Sequence, residues 1–220
     1  MRAVLWDLDG TLVDSEPAHA LAFDAALEEL GLAVPPDFHS RLLGASEDRV
    51  HAALVAETAA GLDRAAWRAV KWRHYRARRI VRLPAADLLP PLAGAGIGLA
   101  VVSNSTRTEV DHNLAVAGLA GFFAITVSRD DVRRGKPDPD PYLAAAGRLG
   151  LDPADCLVVE DSPTGAAAGV AAGMTTVFHP QDPALATPAG AIAAGPAGLA
   201  ALFQRLGLPV PEPCENFLAP

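Results

Sequence analysis

The sequence predicts an α/β fold: a parallel sheet covered on both faces by helices, interrupted by one all-helical insertion. Three observations carry this expectation. Five short, β-rich apolar runs recur along the 220 residues: Ala3–Trp6, Leu99–Val102, Ala124–Val127, Cys156–Val159 and Thr175–Phe178. Helical segments separate the later runs, as crossover connections between parallel strands require. The first and second runs are instead separated by a long stretch, residues 15–83, that is helical in pattern throughout.

Each element has a local reason. Ser15 can cap a helix with Pro17 in its first turn, carrying Leu21, Phe23, Leu27 and Leu30 to a stop at Gly31. A second helix is expected after Ser46, and a third from Asp63 with Trp67, Val70 and Trp72. Leu83-Pro84 reads as the return linker. Beyond the second strand, Thr108–Ala117 stops at Gly118 and Pro141–Leu149 stops at Gly150. Gly165–Ala172 is almost wholly Ala and Gly, so its backbone can lie close to a sheet. The domain expectation is therefore 1–14 with 84–220 as the α/β core, and 15–83 as a helical insertion. Residues 209–220 read as an extended, Pro-rich tail.

Composition narrows the function classes. Half the residues are apolar and a fifth charged, as in a folded globular chain. No apolar run approaches the ~20 residues that span a bilayer, and the first residues carry no signal pattern, so a cytoplasmic protein without a membrane partner is expected. Two cysteines, Cys156 and Cys214, make no disulfide framework. The net charge of −8 argues against a nucleic-acid partner. Oligomeric state leaves no mark in the sequence. One stretch, Arg64 to Arg82, carries eight positive side chains and no acid, reading either as a solvated helix face or as an attractor for an anionic substrate.

The chemistry-bearing residues fall in four fragments, most at strand ends, where open α/β sheets gather ligands. Asp7-Leu-Asp9-Gly10-Thr11 follows the first strand. Residues i and i+2 of an extended chain point the same way, so Asp7 can serve as a nucleophile with Asp9 as its acid/base. Ser103-Asn104-Ser105 ends the second strand and opens a helix, offering hydroxyl and N–H groups to phosphate oxygens or simply capping the helix. Gly135-Lys136-Pro137-Asp138 supplies an ammonium group. The chain has sixteen Arg and only two Lys, Lys71 and Lys136, so a Lys kept at this turn suits a compact cation beside carboxylates. Glu160-Asp161-Ser162 follows the fourth strand; adjacent acids there are costly unless paired or bound to metal. With Asp7 and the Asp9 carbonyl they offer hard oxygens to Mg2+, one of the two acids alternatively orienting Lys136.

Together these fragments resemble the haloacid dehalogenase superfamily, in the group whose helical cap is inserted just after the first motif. The resemblance covers essentially the whole chain, including Arg-Gly-Lys-Pro-x-Pro followed by Val-Val-Glu-Asp-Ser. It implies a Rossmann-like three-layer core with a helical cap, and Mg2+-dependent phosphoryl transfer through Asp7, assisted by Asp9, Ser103, Asn104, Lys136, Glu160 and Asp161. Asp9 favours phosphatases and phosphomutases over dehalogenases and transport ATPases, which lack an acid there. β-Phosphoglucomutase-like members present Lys before a cap Gly and Arg three residues after it. Here Leu43-Gly44-Ala45-Ser46-Glu47 stands instead, so a phosphatase is expected and a phosphomutase is the alternative, with Arg41, Arg49 or Lys71 as replacement cations. A binding protein that kept the fold without activity is disfavoured, since every expected group is present. Gly94-Ala95-Gly96-Ile97-Gly98 precedes a strand and so cannot be a dinucleotide fingerprint. The expected partner is a small phosphorylated metabolite, a sugar or polyol phosphate, selected by Glu16, Leu43, Glu47 and Arg49.

Overall fold

The computed structural model describes residues 1–38, 40–42, 47–58, 61–195 and 198–211. It forms two units, Met1–Asp14 with Val81–Pro220, and Ser15–Ile80. The first unit is built on β1 (Ala3–Trp6), β4 (Gly98–Val102), β5 (Ile125–Val127), β6 (Cys156–Glu160), β7 (Thr175–Phe178) and β8 (Ile192–Ala193). These strands are all parallel, in the order β5-β4-β1-β6-β7-β8. A separate antiparallel ribbon pairs β2 (Val13–Asp14) with β3 (Val81–Arg82). Each of the five runs read from the sequence is a strand. The two-residue strands carry too little pattern to be seen that way.

β1 and β6 are buried along their whole length, which explains their unbroken apolar composition. Ala3 and Leu5 pack with Ala100, Val102, Val158, Tyr142 and Ala145 in one continuous core. From β1 the chain builds outward through β4 and β5, then returns to place β6 on the other side of β1. The order therefore reverses at β1, and the carboxyl ends of β4, β1 and β6 flank the resulting crevice.

The helices of this unit are α4 (Leu89–Gly94), α5 (Arg107–Val116), α6 (Asp140–Leu149), α7 (Pro163–Ala171) and α8 (Leu199–Arg205). α5 corrects one sequence expectation. Its cap is Thr106 rather than the Ser-Asn-Ser run, through a reciprocal capping box in which the Glu109 carboxylate accepts from Thr106 N at 3.0 Å. Ser103–Ser105 thus stand outside the helix. Gly118 (φ +66°) and Gly150 (φ +67°) follow α5 and α6 in the left-handed conformation expected of them.

The second unit contains α1 (Glu16–Leu30), α2 (Glu47–Thr58) and α3 (Arg64–Tyr75), packed around Phe23, Leu27, Phe38, Leu54 and Trp67. Phe23 meets Trp67 edge to face with ring centroids 5.4 Å apart. Gly31 closes α1 and the Asp63 carboxylate accepts from Ala66 N at 2.8 Å to open α3, both as the sequence suggests. Ser15 precedes α1, but its side chain makes no capping bond. Of the basic stretch, Arg73 and His74 both reach Glu29, so at least that part is a paired surface. No helix among the described residues is long and apolar enough to cross a membrane.

The small residues of α7 let its backbone approach the sheet. A Cβ at Gly169 would stand 2.6 Å from Thr176 Oγ1 and 3.1 Å from Val158 Cγ1. Gly169→Ala should therefore destabilise the protein although Ala raises helix propensity by about 1 kcal/mol. A net loss of about 1–2 kcal/mol in urea denaturation is expected from overpacking; a gain would show that α7 can lift from the sheet freely.

Candidate active site

The backbone register alone brings the acids together. Trp6 lies opposite Val101 of β4 and Val159 of β6, so Asp7 emerges beside Val102 on one side and Glu160 on the other. Asp7 N donates to Val159 O at 2.9 Å, extending the ladder one residue past the strand and fixing the start of the loop. Gly10 turns the loop at φ +89°, and a Cβ there would sit 2.1 Å from Asp161 Oδ2. The glycine is needed for both its conformation and the carboxylate against it.

Lys136 is the buried cation of this cluster. Its Nζ donates to Asp7 Oδ1 at 2.6 Å, to Val102 O at 2.7 Å and to Glu160 Oε1, which uses all three of its protons. The loop that carries it is held at several points. Asn104 exchanges two bonds with the Lys136 main chain, accepting from its N–H at 2.9 Å and donating to its carbonyl at 3.1 Å. Arg134 grips Asp138 at 2.9 Å and Asp140 at 2.8 Å. Gly135 leaves room for this, since a Cβ would lie 2.7 Å from Asn104 Oδ1.

Glu160 is fully buried and fully bonded. Oε1 accepts from Lys136 and from Tyr142 Oη at 2.8 Å, while Oε2 accepts from Ser162 N at 3.2 Å and Ser162 Oγ at 3.0 Å. The Lys136 ammonium also stands 5.1 Å from the Tyr142 ring centre, where the ring face attracts a cation. A Cβ at Gly165 would overlap the Glu160 carboxylate at 1.7 Å, so that glycine is where α7 makes way for it. Asp161 is freer: its Oδ1 accepts a long 3.4 Å bond from Thr11.

Asp9 turns elsewhere. Its Oδ2 accepts from Ser103 Oγ at 3.1 Å and Ser105 Oγ at 2.8 Å, and its Oδ1 accepts from Asn113 Nδ2 at 3.0 Å. Ser103 Oγ itself accepts from Ser105 N at 2.9 Å.

The electrostatics follow from this crowding. Burial pushes Asp7 well above the ordinary carboxylate range, and Glu160 pushes the same way against the pull of Lys136. Asp161 is raised to about 7, by burial first and by Glu160 next. Burial opposes the charge of Lys136, but Asp7 and Glu160 outweigh it and hold the ammonium above its ordinary value. Burial raises the Tyr142 phenol, with Glu160 and Asp7 adding to the shift, so it stays a donor.

Oxygen atoms of Asp7, Glu160 and Asp161 lie within 4.8 Å of one another. When ionised, three carboxylates against one ammonium leave two negative charges, and Asp7 Oδ2 is buried with no hydrogen-bond partner among the described residues. A hard divalent cation answers both deficits. The residues present fit such an ion.

Of the residues singled out from sequence, Asp7, Asp9, Ser103, Asn104, Lys136, Glu160 and Asp161 converge at the carboxyl edge of the sheet. The side chain of Asn104, read as a phosphate contact, is engaged by the main chain of Lys136. In the helical unit, Glu16 and Arg49 are exposed on α1 and α2. Leu43 and the Glu47 side chain lie outside the described residues. Tyr142, Ser105, Asn113, Gly10 and Gly165 were not singled out as site residues. Asn113 carried a signal, a polar residue on the apolar stripe between Val110 and Leu114. Tyr142 is one of only two tyrosines, six residues beyond Lys136.

Comparison with known proteins agrees with this geometry. A family model for haloacid dehalogenase-like hydrolases matches residues 1–173. The chain belongs to that family. Hexitol phosphatase A of Escherichia coli is 36% identical over 178 residues, covering 78% of this chain and 80% of its own. β-Phosphoglucomutase of Bacillus subtilis is 33% identical over 190 residues, covering 80% and 82%. Among solved structures, CbbY of Rhodobacter sphaeroides in complex with phosphate superposes with a TM-score of 0.80 at 26% identity, covering 90% of this chain and 99% of that one.

A carboxyl whose folded pKa lies above its unfolded value stabilises the fold only while it is protonated. For Asp161, raised from 3.8 to about 7, that contribution is complete below pH 3.8 and is lost as pH climbs through 7. The melting temperature of metal-free protein should therefore fall between pH 5 and pH 8. Added Mg2+ should remove most of the fall, and Asp161→Asn should make it shallower in metal-free protein. A flat profile with no response to Mg2+ in calorimetry would contradict the cation assignment.

Proposed function

We propose that this chain is a Mg2+-dependent phosphatase acting on a small phosphorylated metabolite, a sugar or polyol phosphate, through an aspartyl-phosphate on Asp7. One observation carries the reading. Asp7 has one oxygen fixed by Lys136 while the other is buried with no hydrogen-bond partner among the described residues, at the sheet edge where a substrate would arrive.

Asp7 attacks phosphorus in line, displacing the alcohol; water then cleaves the acyl phosphate and releases inorganic phosphate. Lys136 stays protonated throughout, offsetting charge on Asp7 and on the transferring group. A proton that enters with the phosphate monoester passes through Asp9 to the departing alkoxide, and Asp9 then draws one from the attacking water. Ser103 Oγ and neighbouring N–H groups bind the transferring oxygens. Asp7 and Asp161 would hold the cation, with help from the Asp9 carbonyl. Glu160 is at its margin and acts chiefly through Lys136, because both its oxygens are already bonded. The cation supplies charge neutralisation at the phosphoryl oxygens when bound. Asn104 is reassigned as the residue that positions the Lys136 loop. The helical unit serves as the cap, with Glu16, Leu43, Glu47 and Arg49 the residues proposed to select the substrate, in a cytoplasmic setting.

The likeness to β-phosphoglucomutase keeps a mutase as the second reading. Arg41, a candidate for holding a second phosphate, is engaged by Asp37 at 3.3 Å and Glu57 at 3.5 Å within the helical unit, which favours hydrolysis.

Phosphate release from a panel of sugar and polyol phosphates with Mg2+ tests the proposal. Asp7→Asn should lower kcat at least a thousandfold, about 4 kcal/mol of barrier. Turnover of β-glucose 1-phosphate to glucose 6-phosphate with a bisphosphate primer, without phosphate release, would establish the mutase instead.

A further inference from the structure

We propose that Asn113, outside all four sequence fragments, is a positioning residue that holds Asp9 against the phosphate-binding hydroxyl, so that Asp9 and an incoming phosphate compete for Ser103. The inference rests on the phosphatase reading for the roles of Asp9 and Ser103, and extends it to a residue and a competition that reading does not contain.

Asn113 projects from the middle of α5 and is completely buried. A polar amide on the apolar stripe of a helix is costly unless it is satisfied, and here its Nδ2 donates to Asp9 Oδ1 at 3.0 Å. On the other side of the same carboxylate, Ser105 Oγ donates to Oδ2 at 2.8 Å and Ser103 Oγ at 3.1 Å. Donors from the loop after β4 and from α5 thus hold this carboxylate from both sides.

The conflict lies in the proton inventory. A serine hydroxyl has a single proton to donate. Ser103 gives its proton to Asp9 and accepts from Ser105 N at 2.9 Å. A phosphate oxygen, which needs a donor, finds the hydroxyl proton already committed. Asp9 occupies the phosphate's donor as a built-in anion, and Asn113 and Ser105 keep it there. Binding of the phosphoryl group needs that proton, and Asn113 and Ser105 prevent the carboxylate from swinging aside to release it. Weakening those two holds therefore favours phosphate.

The probe is inorganic phosphate, titrated by calorimetry into the full chain with saturating Mg2+. Asn113→Leu, similar in shape and without the donor, should tighten phosphate binding about fivefold, the worth of one ordinary hydrogen bond. Ser105→Ala should tighten it similarly, and remains informative if the buried Asn113 variant fails to fold. In an Asp9→Ala background phosphate should bind more tightly than in the parent, and neither second substitution should change it further. Unchanged or weaker phosphate binding in both single variants, or an equal effect with and without Asp9, would assign Asn113 a purely structural role and overturn the proposal. Failure of the phosphatase reading is seen separately, as a parent protein that releases no phosphate from any ester. Phosphate affinity still reports on the cradle in that case.

Discussion

The ammonium of Lys136 is the pivot of this structure. It is buried with Asp7 and Glu160 beside the half-buried Asp161, and it donates to the first two and to the carbonyl of Val102. Burying a charge is tolerable only with a full set of partners, and every partner comes from a different strand end. β1 brings Asp7, β4 brings the carbonyl and β6 brings Glu160. The cation thus ties together the three central strands where their order reverses. Removing it would leave three acids facing one another in a poorly solvated space. Exchanging it for Arg would bring a planar fork with five donors to a place that offers three convergent acceptors.

Around this pivot the acids divide their tasks by how many bonds each already makes. Glu160 has four donors and no free lone pair in reach of the crevice. Asp161 has one long bond, and Asp7 has one oxygen fixed and one free. The same carboxylate chemistry therefore yields a fully bonded brace, a lightly bonded acid and an acid held at one oxygen, distinguished by neighbours rather than by residue type. Glycine is the complement of this arrangement. Gly10 and Gly165 stand where Asp161 and Glu160 pass, and no side chain at either position would leave those carboxylates in place.

The fold, and the residues that gather at the sheet edge, were legible in the sequence because both depend on short-range pattern. Apolar runs such as Val4-Leu5-Trp6 and Leu157-Val158-Val159 mark buried parallel strands, and charged residues directly after them mark the ligand edge. What stayed hidden depends on contacts made across the chain. The pairing of Val13-Asp14 with Val81-Arg82 has too few residues to carry a period. The cap of α5 falls at Thr106 rather than at Ser103, since Thr-x-x-Glu competes successfully with a run of small polar residues whose hydroxyls are claimed by Asp9. That the Asn104 side chain meets the Lys136 main chain, and that Glu160 rather than Asp161 meets the ammonium, depends on a loop 32 residues away from Asn104 in sequence. No local signal reports on it.

The ribbon of β2 and β3 has a further consequence. Asp14 is paired directly with Val81, so the polypeptide leaves and re-enters the α/β unit at adjacent points of one antiparallel pair. A two-residue turn could join them without disturbing any strand of the main sheet. The intervening 66 residues, Ser15–Ile80, are therefore attached as a graft on a hairpin tip, and the entropy of closing so long an excursion is borne by their own fold. Such a junction lets the excursion be lengthened, shortened or exchanged during evolution while the Lys136 cluster stays fixed, a physical route by which one phosphate-handling scaffold can acquire many substrates.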